Sequence, residues 1–304
     1  MPWPFRGEAW PSRVGLAMVT VAAVAVAAVV WRKQAESPVL AELDVVYGRA
    51  GEVPLRLDVF RPREAKGPRP AVLMIHGGGW VRGSKELEHL LADHLARAGF
   101  VAVAVGYRLA VDDASRYPAQ VDDVQRAVRW VRANAGRYGV DPSRIGAFGH
   151  SAGGHLAASL GTRETRDNTD PALAPFPSRV ACVVDCAGPV DFTDDENPPL
   201  ANGAMEFVSS LFGKSRSEVP EAYRDASPLA HVDARSAPTL IVHGTADDVV
   251  PVEQSRRFFR GLRASGVEAR LVELEGEGHS FESPDNVRIW IGEMMGFLRA
   301  HLKP

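Results

Sequence analysis

The chain has 304 residues, 45% hydrophobic and 24% charged, enough to bury one large core but with no room for a second full domain. A formal net charge of -3 and the lack of a basic stripe interleaved with aromatics exclude broad attraction to nucleic acid. The two cysteines, Cys182 and Cys186, lie four apart in an apolar run that reads as a strand. At ~3.3 Å per residue their Cα atoms would stand roughly 13 Å apart, too far for a disulfide, so they read as small buried apolar residues.

Residues 1–13 form a short tail, and residues 14–31 run without a charge. As a helix that run would measure roughly 27 Å, enough to cross a hydrocarbon core. A cleavable signal peptide is the alternative, because Arg6 and Arg13 precede the run and Ala25-Val26-Ala27 offers small residues. The uncleaved single-pass anchor is favoured, since that small-residue site lies inside the apolar stretch and Arg32 and Lys33 end it abruptly. The domain beyond is expected outside the cytoplasm, anchored or secreted after cleavage, although basic residues flank both ends and give no orientation by themselves. Residues 32–41 read as a linker and 42–304 as a single domain.

Within that domain, β-rich runs alternate with amphipathic stretches, which predicts an α/β architecture: a mostly parallel central sheet with helices on both faces. Residues 43–47 and 55–60 read as opening strands joined in a hairpin at the sheet edge, with Ala50-Gly51 in the turn. The continuous apolar run 71–75 suits a central strand, and His76-Gly77-Gly78-Gly79-Trp80 follows it. A helix is expected over 86–98, a strand over 101–105, and a helix over 118–135, where valines recur at helical spacing. Strands are expected at 145–148, 180–186, 240–243 and 269–274, and helices from Ala152, over 252–264 and over 286–301. The interval 188–236, rich in Asp, Pro and Ser with a helical patch at 205–211, reads as a small lid.

Gly149-His150-Ser151-Ala152-Gly153 fits G-x-S-x-G at the step from a strand into a helix, a turn so sharp that only glycine fits on either side. It lifts a serine hydroxyl above the sheet at a helix N-terminus, where the helix dipole adds positive potential. A nucleophilic serine needs a base, an acid to orient that base, and donors for the oxyanion. The backbone N–H groups of Gly78 and Gly79, with that of Ala152, are the candidate donors. The segment 243–251 after one late strand supplies Asp247 and Asp248, and the segment 276–281 after the next supplies His279, the one histidine of nine in the expected last loop. Asp247 is favoured as the acid, with Asp248 as a solvated or helix-starting residue. His150 and His155 read as flanking the nucleophile structurally and His243 as ending a strand. No histidine falls in a metal-ligand spacing, so no metal or other cofactor is expected. Trp80 and Tyr107 are candidate walls of the substrate pocket, or packing residues.

HGGGW at 76–80, GYRLA at 106–110, DPSRIGAFGHSAGG at 141–154 and GHSF at 278–281 resemble the hormone-sensitive-lipase and bacterial carboxylesterase branch of the α/β-hydrolases, over residues 39–302. The segment HGTADDVVP resembles prolyl-oligopeptidase relatives, in which the first Asp of the pair is the acid. Two features depart from the lipase branch: His150 stands where many members have Asp, and the large N-terminal cap is missing. The resemblance implies the α/β-hydrolase fold, a Ser151/Asp247/His279 triad, and a small-molecule substrate: short-chain esters, or acetyl and aromatic-acid esters of carbohydrates. A peptidase or amidase on the same fold is the second expectation and a membrane-anchored binding protein without activity the third. The oligomeric state is left open.

Overall fold

Short runs dominated by Val, Ile, Leu and Ala form the central strands, because a parallel strand covered on both faces favours apolar side chains at every position. The computed structural model describes residues 37–304 apart from 65, 169, 195–198 and 202–203. The apolar run 14–31, read above as an anchor, lies outside the described residues; among those described, no helix is long and apolar enough to cross a membrane.

The strands in chain order are β1 (Val39–Ala50), β2 (Val53–Pro62), β3 (Arg69–Ile75), β4 (Val101–Val105), β5 (Val140–His150), β6 (Cys182–Cys186), β7 (Thr239–Gly244) and β8 (Ala269–Leu274). They form one sheet in the order β1-β2-β4-β3-β5-β6-β7-β8. The β1–β2 hairpin is antiparallel and β2 runs antiparallel to β4; every other neighbour is parallel. The hairpin turn is Gly51-Glu52, one residue later than expected, since Ala50 pairs with Val53. β1 also begins earlier than its apolar pattern shows, because two register shifts break its alternation.

The helices are α1 (His89–Arg97), α2 (Ala119–Ala133), α3 (Ala135–Tyr138), α4 (Ala152–Thr162), α5 (Met205–Phe212), α6 (Pro220–Ala226), α7 (Glu253–Ala264) and α8 (Pro284–Leu302). Alternation along β3 divides the core between the two faces. Leu73 and Ile75 point to the cluster built with Val124 and Val128 of α2 and Leu156 and Leu160 of α4. Val72 and Met74 point to the cluster holding Leu95 of α1 and Met294 and Leu298 of α8. Each of these side chains is fully buried, worth about 2 kcal/mol apiece by area. Cys182 and Cys186 are free and buried, as expected.

The expected lid contains α5, α6 and the 3-10 turn Pro228–His231. Val208, Leu211 and Phe212 of α5 are its buried face, and Phe212 stacks on Tyr223 of α6 at 3.8 Å between ring centroids. In an open parallel sheet the loops that follow the strands meet at one edge. Those after β3, β5, β7 and β8 build the site there.

Candidate active site

β5 runs into α4 with Ser151 as the single residue between them. Its φ of 58° and ψ of -123° lie in a region that costs an L-residue on the order of 1–3 kcal/mol. Glycine makes the close approach of this turn possible: a Cβ on Gly153 would stand 1.9 Å from the carbonyl oxygen of Ile75. The Ser151 N–H donates to the Cys186 carbonyl at 2.8 Å, pinning the turn to β6. Ser151 itself lines a cavity of about 750 Å³.

Two loops converge on the serine. The Ser151 hydroxyl donates to Nε2 of His279 at 2.9 Å, and Nδ1–H of His279 donates to Oδ2 of Asp247 at 2.7 Å. The Asp247 carboxylate is fully buried, and its Oδ1 accepts the backbone N–H groups of Val249 and Val250, each at 2.8 Å. His243 Nε2 stands 3.1 Å from Oδ2. Burial pushes this carboxyl up, but hydrogen bonds from His243 and His279 outweigh it and hold the group well below the usual carboxylate range. Asp247 is therefore ionised, and it fixes His279 as the Nδ1–H tautomer with the Nε2 lone pair toward Ser151. Asp248, the other candidate acid, is an exposed residue on the cavity wall.

Gly78, Gly79, Trp80 and Ala152 line the same cavity. Ala152 is the first residue of α4, so its N–H has no acceptor within the helix. Gly78 has φ 114°, and a Cβ there would meet the Arg82 carbonyl oxygen at 2.2 Å. Trp80 is almost wholly buried and donates its Nε1–H to Nδ1 of His155 at 3.1 Å; His155 in turn donates Nε2–H to the Ala226 carbonyl at 2.8 Å. Burial lowers the His155 pKa to about 4, so the ring is neutral and able to accept.

Tyr107, expected beside Trp80, is absent from this cavity. Its ring stacks on His76 at 4.3 Å and its hydroxyl donates to the His76 carbonyl at 3.0 Å. The reason is topological: Tyr107 follows β4, which lies on the side of β3 away from β5 and Ser151.

Two contributors, His150 and Glu277, have no site role in the sequence reading, and a third, Phe207, falls in the expected lid. His150 donates Nε2–H to the backbone carbonyl of His279 at 2.7 Å; burial, with the His279 charge second, lowers its pKa to about 4 and keeps it a neutral donor. Glu277 accepts from the Glu282 N–H at 2.8 Å and the Asn286 amide at 2.7 Å, which closes the loop carrying His279. Phe207 of α5 lies against the oxyanion-side loop, 2.6 Å from where a Gly79 Cβ would be. For His150 the signal is its place beside Ser151, and for Phe207 its place in the helical patch at 205–211; nothing local marks Glu277.

Behind the nucleophile turn, fully buried Asp185 accepts the Gly188 N–H through Oδ1 at 3.0 Å, while its Oδ2 has no partner. Burial pushes this carboxyl up from 3.8 to about 7. Because the folded-state pKa is raised, the group is stabilising below pH 3.8 and becomes a cost as pH rises through about 7. Asp185→Asn should therefore raise stability at pH 8 by on the order of 2 kcal/mol, with the gain gone at pH 4. Urea unfolding of both proteins at the two pH values reads this directly, and an equal effect at both would contradict it.

The BD-FAE family profile matches residues 57–262 of this chain. The chain belongs to the BD-FAE family. This is a family of α/β-hydrolase esterases, and the sheet order, the nucleophile turn and the two converging loops agree with it. Esterase LipC of Mycobacterium tuberculosis is 35% identical over 237 residues, covering 76% of this chain and 58% of LipC. The chain thus spans little more than half the length of that relative. Among solved structures, a truncated carbohydrate esterase from gut microbiota superposes with a TM-score of 0.77 at 28% identity, covering 88% of this chain and 99% of that one. The butyrate-bound Est2 esterase of Thermogutta terrifontis superposes at 0.73 with 29% identity, covering 86% and 93%.

Proposed function

We propose that this BD-FAE chain is a serine esterase that cleaves short-chain carboxylic esters through an acyl-enzyme. The observation that carries the reading is the unbroken chain of hydrogen bonds from Ser151 through His279 to Asp247, at 2.9 and 2.7 Å, on the wall of a cavity that also holds Gly78, Gly79 and Ala152. Ser151 attacks the ester carbonyl as His279 takes its proton, and ionised Asp247 stabilises the imidazolium. The N–H groups of Gly78, Gly79 and Ala152 receive the oxyanion. His279 then protonates the leaving alcohol, and water releases the acid by the same route.

The short-chain preference rests on the small lid. Leu200, Ala204 and Phe207 line the cavity, and Phe207 rests on the oxyanion-side loop. The butyrate bound in Est2 favours small acyl groups, and the carbohydrate-esterase neighbour favours esters of sugars. Across a panel of p-nitrophenyl esters, acetyl and butyryl are expected to exceed acyl chains of roughly ten carbons by about tenfold or more in kcat/KM. A preference for the long chains would move the reading to a lipase, and faster cleavage of aminoacyl anilides would move it to an amidase. The charge-free run 14–31 supports a single-pass anchor, and we place the catalytic domain outside the cytoplasm as part of the same proposal. The full chain should then pellet with membranes and resist high salt; a soluble mature chain starting near residue 28 would show a cleaved signal instead.

A further inference from the structure

The loop that carries Gly78 and Gly79 has a second cavity on its other side, of about 830 Å³, bounded by the β1–β2 turn and the segment after β4. Its walls include Pro54, Leu55, Tyr107 and Leu109, with exposed Val53 and Val111 at the rim. The charged groups around it are balanced, Arg56, Lys85 and Arg108 against Asp44, Glu86 and Asp112. Lys85 is held among Asp44, Asp58 and Glu86, all within 3.1 Å. Arg56 donates to the Asp44 carbonyl at 2.9 Å, Arg108 pairs with Asp123 at 2.7 Å, and Asp112 accepts from the Ser115 N–H at 2.9 Å. With three groups of each sign on the wall, a charged ligand meets no net counter-charge here.

His76 also lines this cavity, and its proton position follows from its neighbour. Nδ1 lies 2.8 Å from the Gly77 carbonyl, which can only accept, so Nδ1 carries the hydrogen and Nε2 keeps a lone pair. Burial lowers the pKa of this ring, in agreement with a neutral acceptor. Beside it lies the Tyr107 ring, stacked at 4.3 Å, an aromatic wall next to a single acceptor.

We propose that this second cavity binds a neutral phenol, the aromatic body against Leu55 and Tyr107 and the hydroxyl donating to Nε2 of His76. The ligand would be read by the oxyanion-side loop, because there is no slack between them. The Tyr107 hydroxyl holds the His76 carbonyl at 3.0 Å, and Gly83 sits so close that a Cβ would be 2.5 Å from the Gly77 carbonyl oxygen. Gly77 directly precedes the two glycines of the catalytic cavity. The binding itself is independent of whether Ser151 hydrolyses esters.

The test is calorimetric titration of the full chain with 4-ethylphenol, its methyl ether 4-ethylanisole, and 4-ethylbenzoate. Three variants locate the site: Ala50→Trp and Ala114→Trp fill the second cavity, and Ser280→Trp fills the catalytic one. One equivalent of 4-ethylphenol should bind the unaltered chain, about tenfold more tightly than the ether that lacks the donor, and 4-ethylbenzoate should not bind. Ala50→Trp and Ala114→Trp should each weaken binding at least about tenfold and Ser280→Trp should leave it unchanged. No binding of 4-ethylphenol, equal binding of the ether, or loss confined to Ser280→Trp would overturn the proposal. Ala114 is exposed and Ala50 adjoins the hairpin turn, so at least one filled variant is expected to fold.

Discussion

Replacing Ser151 by alanine is expected to reduce ester turnover by on the order of 10⁴-fold or more while leaving the protein folded. The large effect follows from the loss of the only atom that bonds to the ester carbon; what remains is the oxyanion site and substrate binding. Stability should change by about 1 kcal/mol or less, because alanine keeps the φ of 58° and the backbone bond to Cys186 that define the turn. kcat on p-nitrophenyl acetate and urea unfolding of the same preparation separate the two effects. Near-normal turnover in a folded variant would remove Ser151 as nucleophile.

Asp247→Asn should cost about 10⁴-fold in kcat, and Asp248→Asn about threefold at most. His279 donates Nδ1–H to Asp247 at 2.7 Å, and an asparagine amide at that position can turn its NH₂ toward the ring, favouring the opposite tautomer with the proton on Nε2. The imidazole then presents a donor to Ser151 and cannot accept its proton. Asp248 is exposed on the cavity wall and carries none of this arrangement. Parallel kcat measurements on the two variants decide the assignment, and the reverse order would transfer the acid role to Asp248.

Most of this site was legible in the sequence because each of its parts follows a strand of a parallel sheet. A β-rich run followed by a turn with glycine and a polar residue recurs at β3, β5, β7 and β8, and that recurrence in the sequence places Gly78, Ser151, Asp247 and His279 at one sheet edge. The hidden part depends on spatial order, which local pattern does not carry. Tyr107 also follows a buried strand, yet its strand pairs on the far side of β3, so it supports the loop from behind. His150 and the carbonyl it holds are 129 residues apart. The lid shows as an interval and as one helical patch, but its second helix does not: α6 is a seven-residue helix with two buried positions, too short for periodicity to declare itself. The sequence pattern shows only the middle of β1, because Glu42, Asp44 and the bulges interrupt its alternation.

The central claim, that Ser151 is the nucleophile activated by His279, is tested most directly by covalent capture with diethyl 4-nitrophenyl phosphate, followed by mass mapping of the modified peptide. The account predicts one diethylphosphoryl group per chain, on Ser151, accumulating in step with the loss of esterase activity. Labelling should be absent in Ser151→Ala and at least about 10³-fold slower in Asp247→Asn, where the tautomer of His279 is wrong. Inactivation with the adduct on any other residue, or full labelling of Ser151→Ala at the wild-type rate, would contradict it.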